Sequence, residues 1–139
     1  MFQRILVPVD LTEKSLAAVD AACELAVQFK AEVTLLHVIE TVEHIQFDEI
    51  KEFYQRLEKS ANKGLKEFSE KFVMKKIPVH QAVIYGHRSR EIVGFAIKNR
   101  ADVIIVASHR IDPDRPGHDW STISYAVAIL SPYPVLLIK

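Results

Sequence analysis

The strongest constraint on how this chain can fold is a repeated switch between two hydrophobic periods. Short continuous apolar runs, of the kind a strand buried on both faces requires, alternate with segments whose apolar residues recur every three or four positions. Ile5 to Val9 is the first run and ends at Asp10. From Thr12, Leu16, Val19, Cys23 and Ala26 return at steps of three and four, joined by Ala22, Leu25 and Phe29. That spacing predicts an amphipathic helix with Thr12 as its N-cap. Val33 to Val38 is a second strand. Phe47, Ile50, Tyr54, Leu57, Ala61, Leu65, Phe68 and Phe72 then place one apolar stripe along a long helix, a face for packing on a sheet. Val79 to Tyr85 reads as a strand, Gly86 as a turn, and Ile92, Val93, Ala96 and Ile97 as the mark of another helix. Val103 to Ala107 is the fourth strand, Ser121 to Leu130 a helix, and Val135 to Ile138 a last strand after Pro132 and Pro134.

Strands alternating with helices imply right-handed crossovers, hence an α/β fold with a doubly wound parallel sheet and helices on both faces. No linker, repeat or low-complexity tract divides the chain, so residues 1–139 are expected to form one domain. In open sheets of this kind ligands bind beyond the carboxyl ends of the strands, where the strand order reverses. That rule selects Asp10, the residues from Val38 onward, those after Gly86, and the stretch Ala107 to Thr122, ASHRIDPDRPGHDWST.

Charge and composition remove several classes of function. Lys plus Arg and Asp plus Glu number 18 each, so no net field draws the protein to nucleic acid or to an anionic membrane. No apolar stretch is long enough to cross a bilayer, and the N-terminal run is too short for a signal peptide, so a cytoplasmic location is expected. The one cysteine, Cys23, cannot form an internal disulfide and reads as small buried packing. The glycine-rich NTPase loop, the GxGxxG dinucleotide turn and the GxSxG nucleophile elbow are all absent. His109 and His118, with Asp112 or Asp114, lack the register of a metal site and read as a solvated polar loop. With no second carboxylate placed beside it, Asp10 suits binding or turn formation better than catalysis.

Five segments taken in order resemble the universal stress protein family over essentially the whole chain. They are Ile5-Leu6-Val7-Pro8-Val9-Asp10, Leu35-Leu36-His37-Val38, Gly86 with Ile92, Ala101 through His109, and Pro134 through Ile138. The resemblance implies a flavodoxin-like, Rossmann-like five-stranded sheet of order 3-2-1-4-5, with ATP or AMP held at the switch point in the nucleotide-binding members. In those members Pro-Val-Asp after the first strand and the valine after the strand-two histidine hold base and ribose, which maps to Pro8, Val9, Asp10 and Val38. Their phosphate fingerprint is glycine, two residues, glycine, nine residues, then glycine with Ser or Thr. Here it aligns with Ala107, Arg110 and Ser121-Thr122, with ten residues in the last gap. All three glycines are replaced.

Ala107 adds only a methyl group, whereas Arg110 adds bulk and a guanidinium able to grip phosphate. Some family members also read Ser-His-Arg at this place. Ser121 and Thr122 keep hydroxyls and free N–H groups at a helix start. Arg88, Arg115 and His118 add positive charge and Asp112, Asp114 and Asp119 oppose it. With Val106 and His109 flanking the loop, the candidate binding residues are Pro8, Val9, Asp10, Val38, Val106, Ala107, His109, Arg110, Ser121 and Thr122. Mg²⁺ is implied only with ATP, and any hydrolysis is expected to be slow, because no acid pair or general base is evident.

The resemblance further implies a homodimer paired through the last strand, Val135, Leu136, Leu137 and Ile138, an apolar edge otherwise left open. Two readings stay open. One is a binding and signalling module with an atypical adenine-nucleotide site. The other is a nucleotide-free dimeric interaction module in which the 107–122 loop and Trp120 contact a protein. A flavin carrier on a similar fold is disfavoured, since the carboxylates of Asp10 and Glu13 suit an FMN phosphate poorly.

Overall fold

The alternating periods become a parallel sheet in the computed structural model, which describes residues 1–41, 48, 50–110, 114 and 122–139. The strands are β1 (Arg4–Pro8), β2 (Glu32–Glu40), β3 (Val79–Gly86), β4 (Val103–Ala107) and β5 (Val135–Ile138). The helices are α1 (Leu16–Phe29), α2 (Lys51–Met74), α3 (Arg88–Lys98) and α4 (Ile123–Leu130), and a 3₁₀ turn at Glu13–Ser15 leads into α1. Every strand pair is parallel, as the alternating periods predict, and the order β3-β2-β1-β4-β5 is the one the family resemblance implies. The chain therefore reverses its direction of winding between β1 and β4.

Strand alternation sorts the core onto two faces. Ile5, Val7, Val9, Val103 and Ile105 meet α1 and α2, with Leu65 and Phe72 fully buried there. Leu6, Leu36, Val38 and Ile104 meet α3 and α4 through Ile92, Val93, Ala96 and Val127. Each large side chain removed from water in this way contributes about 1.5–3 kcal/mol. Ser69 is the polar exception on the buried stripe of α2. It donates to the Lys66 carbonyl at 2.7 Å and accepts from Gln81 Nε2 at 2.9 Å. At the amino ends of the two central strands Asp102 fastens β1 to β4, accepting from the N–H of Gln3 and Arg4 and donating its own to the Arg4 carbonyl.

Three helices stop in the same manner. Lys30, Lys76 and Arg100 adopt left-handed φ values of 54°, 59° and 56°. The next residue in each case, Ala31, Ile77 or Ala101, is buried and returns its N–H to a carbonyl five residues back, on Ala26, Phe72 or Ala96. The geometry is that of a Schellman stop, closed by an apolar contact and built without the usual glycine.

Boundaries differ from expectation where local geometry intervenes. Thr12 does cap a helix start, accepting from the Lys14 N–H, but the helix it caps is the 3₁₀ turn, and α1 begins only at Leu16. Gly86 closes β3 as its last residue instead of standing in a turn. Ile97 marks α3 correctly yet faces solvent, and Phe95 packs in its place. Phe47 of the expected α2 stripe and Ser121 of the expected last helix lie outside the described residues. No helix among the described residues is long and apolar enough to cross a membrane.

Candidate functional site

At the carboxyl ends of β1 and β4, where the winding reverses, the surface opens into a groove with two compartments. The inner cleft, about 130 Å³, has a floor of Pro8, Val9, Leu36, Val38, Val106 and Ala107. Ile92 of α3 and Ile123 of α4 wall it, and Asp10, Ser15, His37, Arg88 and Ser124 supply its polar side chains. A closed cavity of about 150 Å³ holds a benzene ring, and this cleft, open towards the outer groove, has room for a flat ring system. The outer groove, about 520 Å³, shares Asp10, Ala107, Ile123 and Ser124 with it and adds Lys14, Ser108, His109, Thr122 and Lys139.

Asp10 sits where the compartments meet and is held from several sides. Its Oδ1 accepts from the Thr12 N–H at 2.9 Å, the Thr12 hydroxyl at 2.7 Å and the Ser15 hydroxyl at 2.8 Å. Its own N–H donates to Ser15 Oγ at 3.0 Å. Burial alone would raise the carboxyl pKa, but the bonds from Thr12 and Ser15 and the charge of Lys14 outweigh it and hold the group below its ordinary value. Oδ2 has no hydrogen-bond partner among the described residues, so one carboxylate oxygen is preset while the other stays available.

This local fold depends on Leu11, whose φ of 69° bends the chain so that Thr12 can return its N–H to Asp10. Left-handed leucine is unfavourable by about 1–2 kcal/mol. Its side chain offsets that cost by packing against the core and lying over Gly64 of α2, where an added Cβ would stand 3.0 Å from Leu11 Cδ2.

The outer groove collects hydroxyls and cations. Ser108 and Ser124 share a hydrogen bond at 2.9 Å, and Thr122 lies 3.2 Å from Ser124 Oγ. Thr122 is the N-cap of α4, yet its side chain makes no capping bond, and no acidic residue occupies the first turn. Unsatisfied N–H groups at such a start favour an anion. Across the groove the His109 carbonyl accepts from Tyr125 Oη at 2.9 Å and from Lys139 Nζ at 3.2 Å. Lys139 also donates to the Tyr125 hydroxyl and lies over its ring, 4.5 Å from the centroid. That bond holds the phenol below its ordinary pKa. The C-terminal lysine thus ties the exit of β4 to α4.

The structure brings Pro8, Val9, Asp10, Val38, Val106 and Ala107 together in the inner cleft, and His109 and Thr122 in the outer groove. Arg110 is exposed and lines neither compartment, and Ser121 lies outside the described residues. His118, Asp112, Asp119, Arg115 and Trp120 also lie outside them, and no cluster of three metal-ligating side chains forms among the rest. Arg88, read from the sequence as charge near phosphate, lines the inner cleft instead. Sequence reasoning did not find Lys14, Ser15, Ser124 or Lys139. A serine five residues after Asp10 was a usable signal, because a tight turn brings that spacing back on itself; Lys139 carried none.

Comparisons with known proteins agree in one direction. The profile of the universal stress protein family matches residues 1–139. Universal stress protein YxiE of Bacillus subtilis (strain 168) is 27% identical over 149 aligned positions, covering 100% of both chains. Among solved structures, the hypothetical protein MJ0577, the subject of a structure-based assignment of biochemical function, superposes with a TM-score of 0.82 at 25% identity. That match covers 100% of this chain and 96% of the other. The universal stress protein from Archaeoglobus fulgidus solved in complex with dAMP gives 0.68 at 16% identity, covering 100% of each, a likeness of fold alone.

Proposed function

The chain belongs to the universal stress protein family, and from that premise we propose that it is a cytoplasmic binding and signalling module, one domain over residues 1–139, that holds an adenine nucleotide at the β1/β4 switch point. The observation that carries this reading is the match between the groove and the parts of such a ligand. The inner cleft has an apolar floor suited to a base, Asp10, where the two compartments meet, presents a fixed carboxylate with one open oxygen able to accept from a ribose hydroxyl, and the outer groove offers Lys14, Lys139 and the α4 start to phosphate.

In this reading the missing glycines are compensated from elsewhere. The positive charge comes from Lys14 and Lys139, which stand in the outer groove, and not from Arg110, which does not. Thr122, Ser124 and Ser108 replace backbone donors with hydroxyls. Mg²⁺ enters only with ATP, carried on the phosphates. The dAMP complex of the Archaeoglobus fulgidus protein supports the choice of an adenine nucleotide, since that relative of the same fold accommodates one.

We further propose a homodimer through β5. Leu136 on that edge strand is exposed, as are Ile129 and Leu130 on the neighbouring α4, an apolar surface that pairing would cover.

Calorimetric titration with ATP and AMP, with and without Mg²⁺, beside Asp10→Ala, tests the nucleotide reading. Micromolar binding that is lost in the variant is the expected result. Absence of heat even at millimolar ligand overturns it and favours the nucleotide-free interaction module.

A further inference from the structure

Arg88 opens α3, is half-buried and lines the inner cleft, yet its side chain forms no hydrogen bond or ion pair among the described residues. The neighbouring polar groups are accounted for differently. Ser15 is bonded to Asp10, Ser124 to Ser108 and Thr122, and His37 Nδ1 to the Val9 carbonyl. Of the charged groups in the cleft, Asp10 retains one unengaged acceptor oxygen and Arg88 retains its donors. With no partner among the described residues, the guanidinium contributes no contact to the unliganded fold, and its donors stay open to a ligand.

We infer that Arg88 is a specificity-determining residue of this cleft, donating to a ring-nitrogen acceptor of the bound base. The inference rests on the nucleotide reading above and deepens it. The cleft takes a ring, while the cations suited to phosphate, Lys14 and Lys139, lie in the outer groove. Arg88 therefore meets the ring and not the phosphate. A guanidinium carries donors only and an ionised carboxylate acceptors only. The ligand that satisfies both over an apolar floor is a flat heteroaromatic ring with acceptor nitrogens on one side and a donor-bearing sugar on the other. Satisfying Arg88 makes the folded cleft selective for bases that carry an acceptor at the matching ring position.

The test uses AMP and its 1-deaza, 3-deaza and 7-deaza analogues, titrated calorimetrically against the wild-type protein and Arg88→Met, which keeps an unbranched apolar stem without donors. AMP affinity is expected to fall about tenfold or more in the variant. One deaza analogue is expected to bind the wild type correspondingly weakly and to be indifferent to the substitution. Unliganded Arg88→Met is expected to melt at or above the wild-type temperature, since the side chain has no partner to lose. A variant that binds AMP within about twofold of wild type, or that melts well below it, overturns the inference while leaving the nucleotide reading intact. So does a substitution that weakens all three analogues as much as AMP. A wild-type protein that binds none of the four overturns the nucleotide reading and the inference together.

Discussion

Nδ1 of His37 lies 2.8 Å from the carbonyl oxygen of Val9. A carbonyl only accepts, so Nδ1 carries the proton and donates. The Val9 N–H already reaches the Leu36 carbonyl at 2.9 Å, and the imidazole extends the β1–β2 pairing past the last ladder pair, Pro8 with Leu36. This bond steadies the residue that immediately precedes Asp10. His37→Phe, which keeps a ring but removes the donor, is expected to lower stability by about 1 kcal/mol. Denaturant melts of the two proteins check this, and nitrogen NMR of the histidine ring is expected to report the Nδ1–H form at neutral pH.

Asp10 makes part of the protein's stability depend on acid. Its folded-state pKa is depressed, so its stabilising contribution is present above the unfolded-state value and is lost as pH falls through the folded-state value. The window lies below about pH 4, the ordinary carboxylate range. Asp10→Asn is expected to be less stable than wild type at neutral pH and to converge on it as pH falls through that window. Urea midpoints measured at a series of pH values decide the matter; a gap that stays constant with pH contradicts the assignment.

The three left-handed helix stops are built on side chains where glycine is intrinsically preferred. Lys30→Gly, Lys76→Gly and Arg100→Gly are each expected to stabilise the fold by up to about 1 kcal/mol, because the Cβ penalty of the left-handed region disappears. Thermal melts of the single and triple variants test the sign.

Two glycines respond in opposite directions to one added methyl. Gly86 has φ of +143°, and a Cβ there would stand 2.6 Å from Glu91 Cγ, so Gly86→Ala is expected to destabilise by about 2 kcal/mol. Gly94, inside α3, has nothing within 4 Å of such a Cβ, and Gly94→Ala is expected to stabilise by about 0.5–1 kcal/mol. Paired melts of the two variants separate backbone strain from helix propensity.

The amino-acid sequence by itself determined the architecture. Hydrophobic period is a local property, so the apolar runs at Ile5, Val33, Val79, Val103 and Val135 and the helical stripes between them were legible without any long-range information. Alternation of the two periods then leaves few topologies besides a doubly wound parallel sheet. The same logic placed Asp10, Val38 and Ala107 at the strand ends that line the inner cleft. Tertiary structure alone decided which cations share the groove. Lys14 and Lys139 stand at opposite ends of the chain and reach one outer compartment only because β5 lies beside β4, while Arg110, the cation nearest the motif in sequence, lines neither compartment. Helix ends were equally hidden, because a left-handed lysine followed by a buried apolar residue has no local signature until the following strand draws that residue into the core. Local periodicity is written in neighbouring residues, but a groove is assembled from residues that only the crossovers between strands bring together.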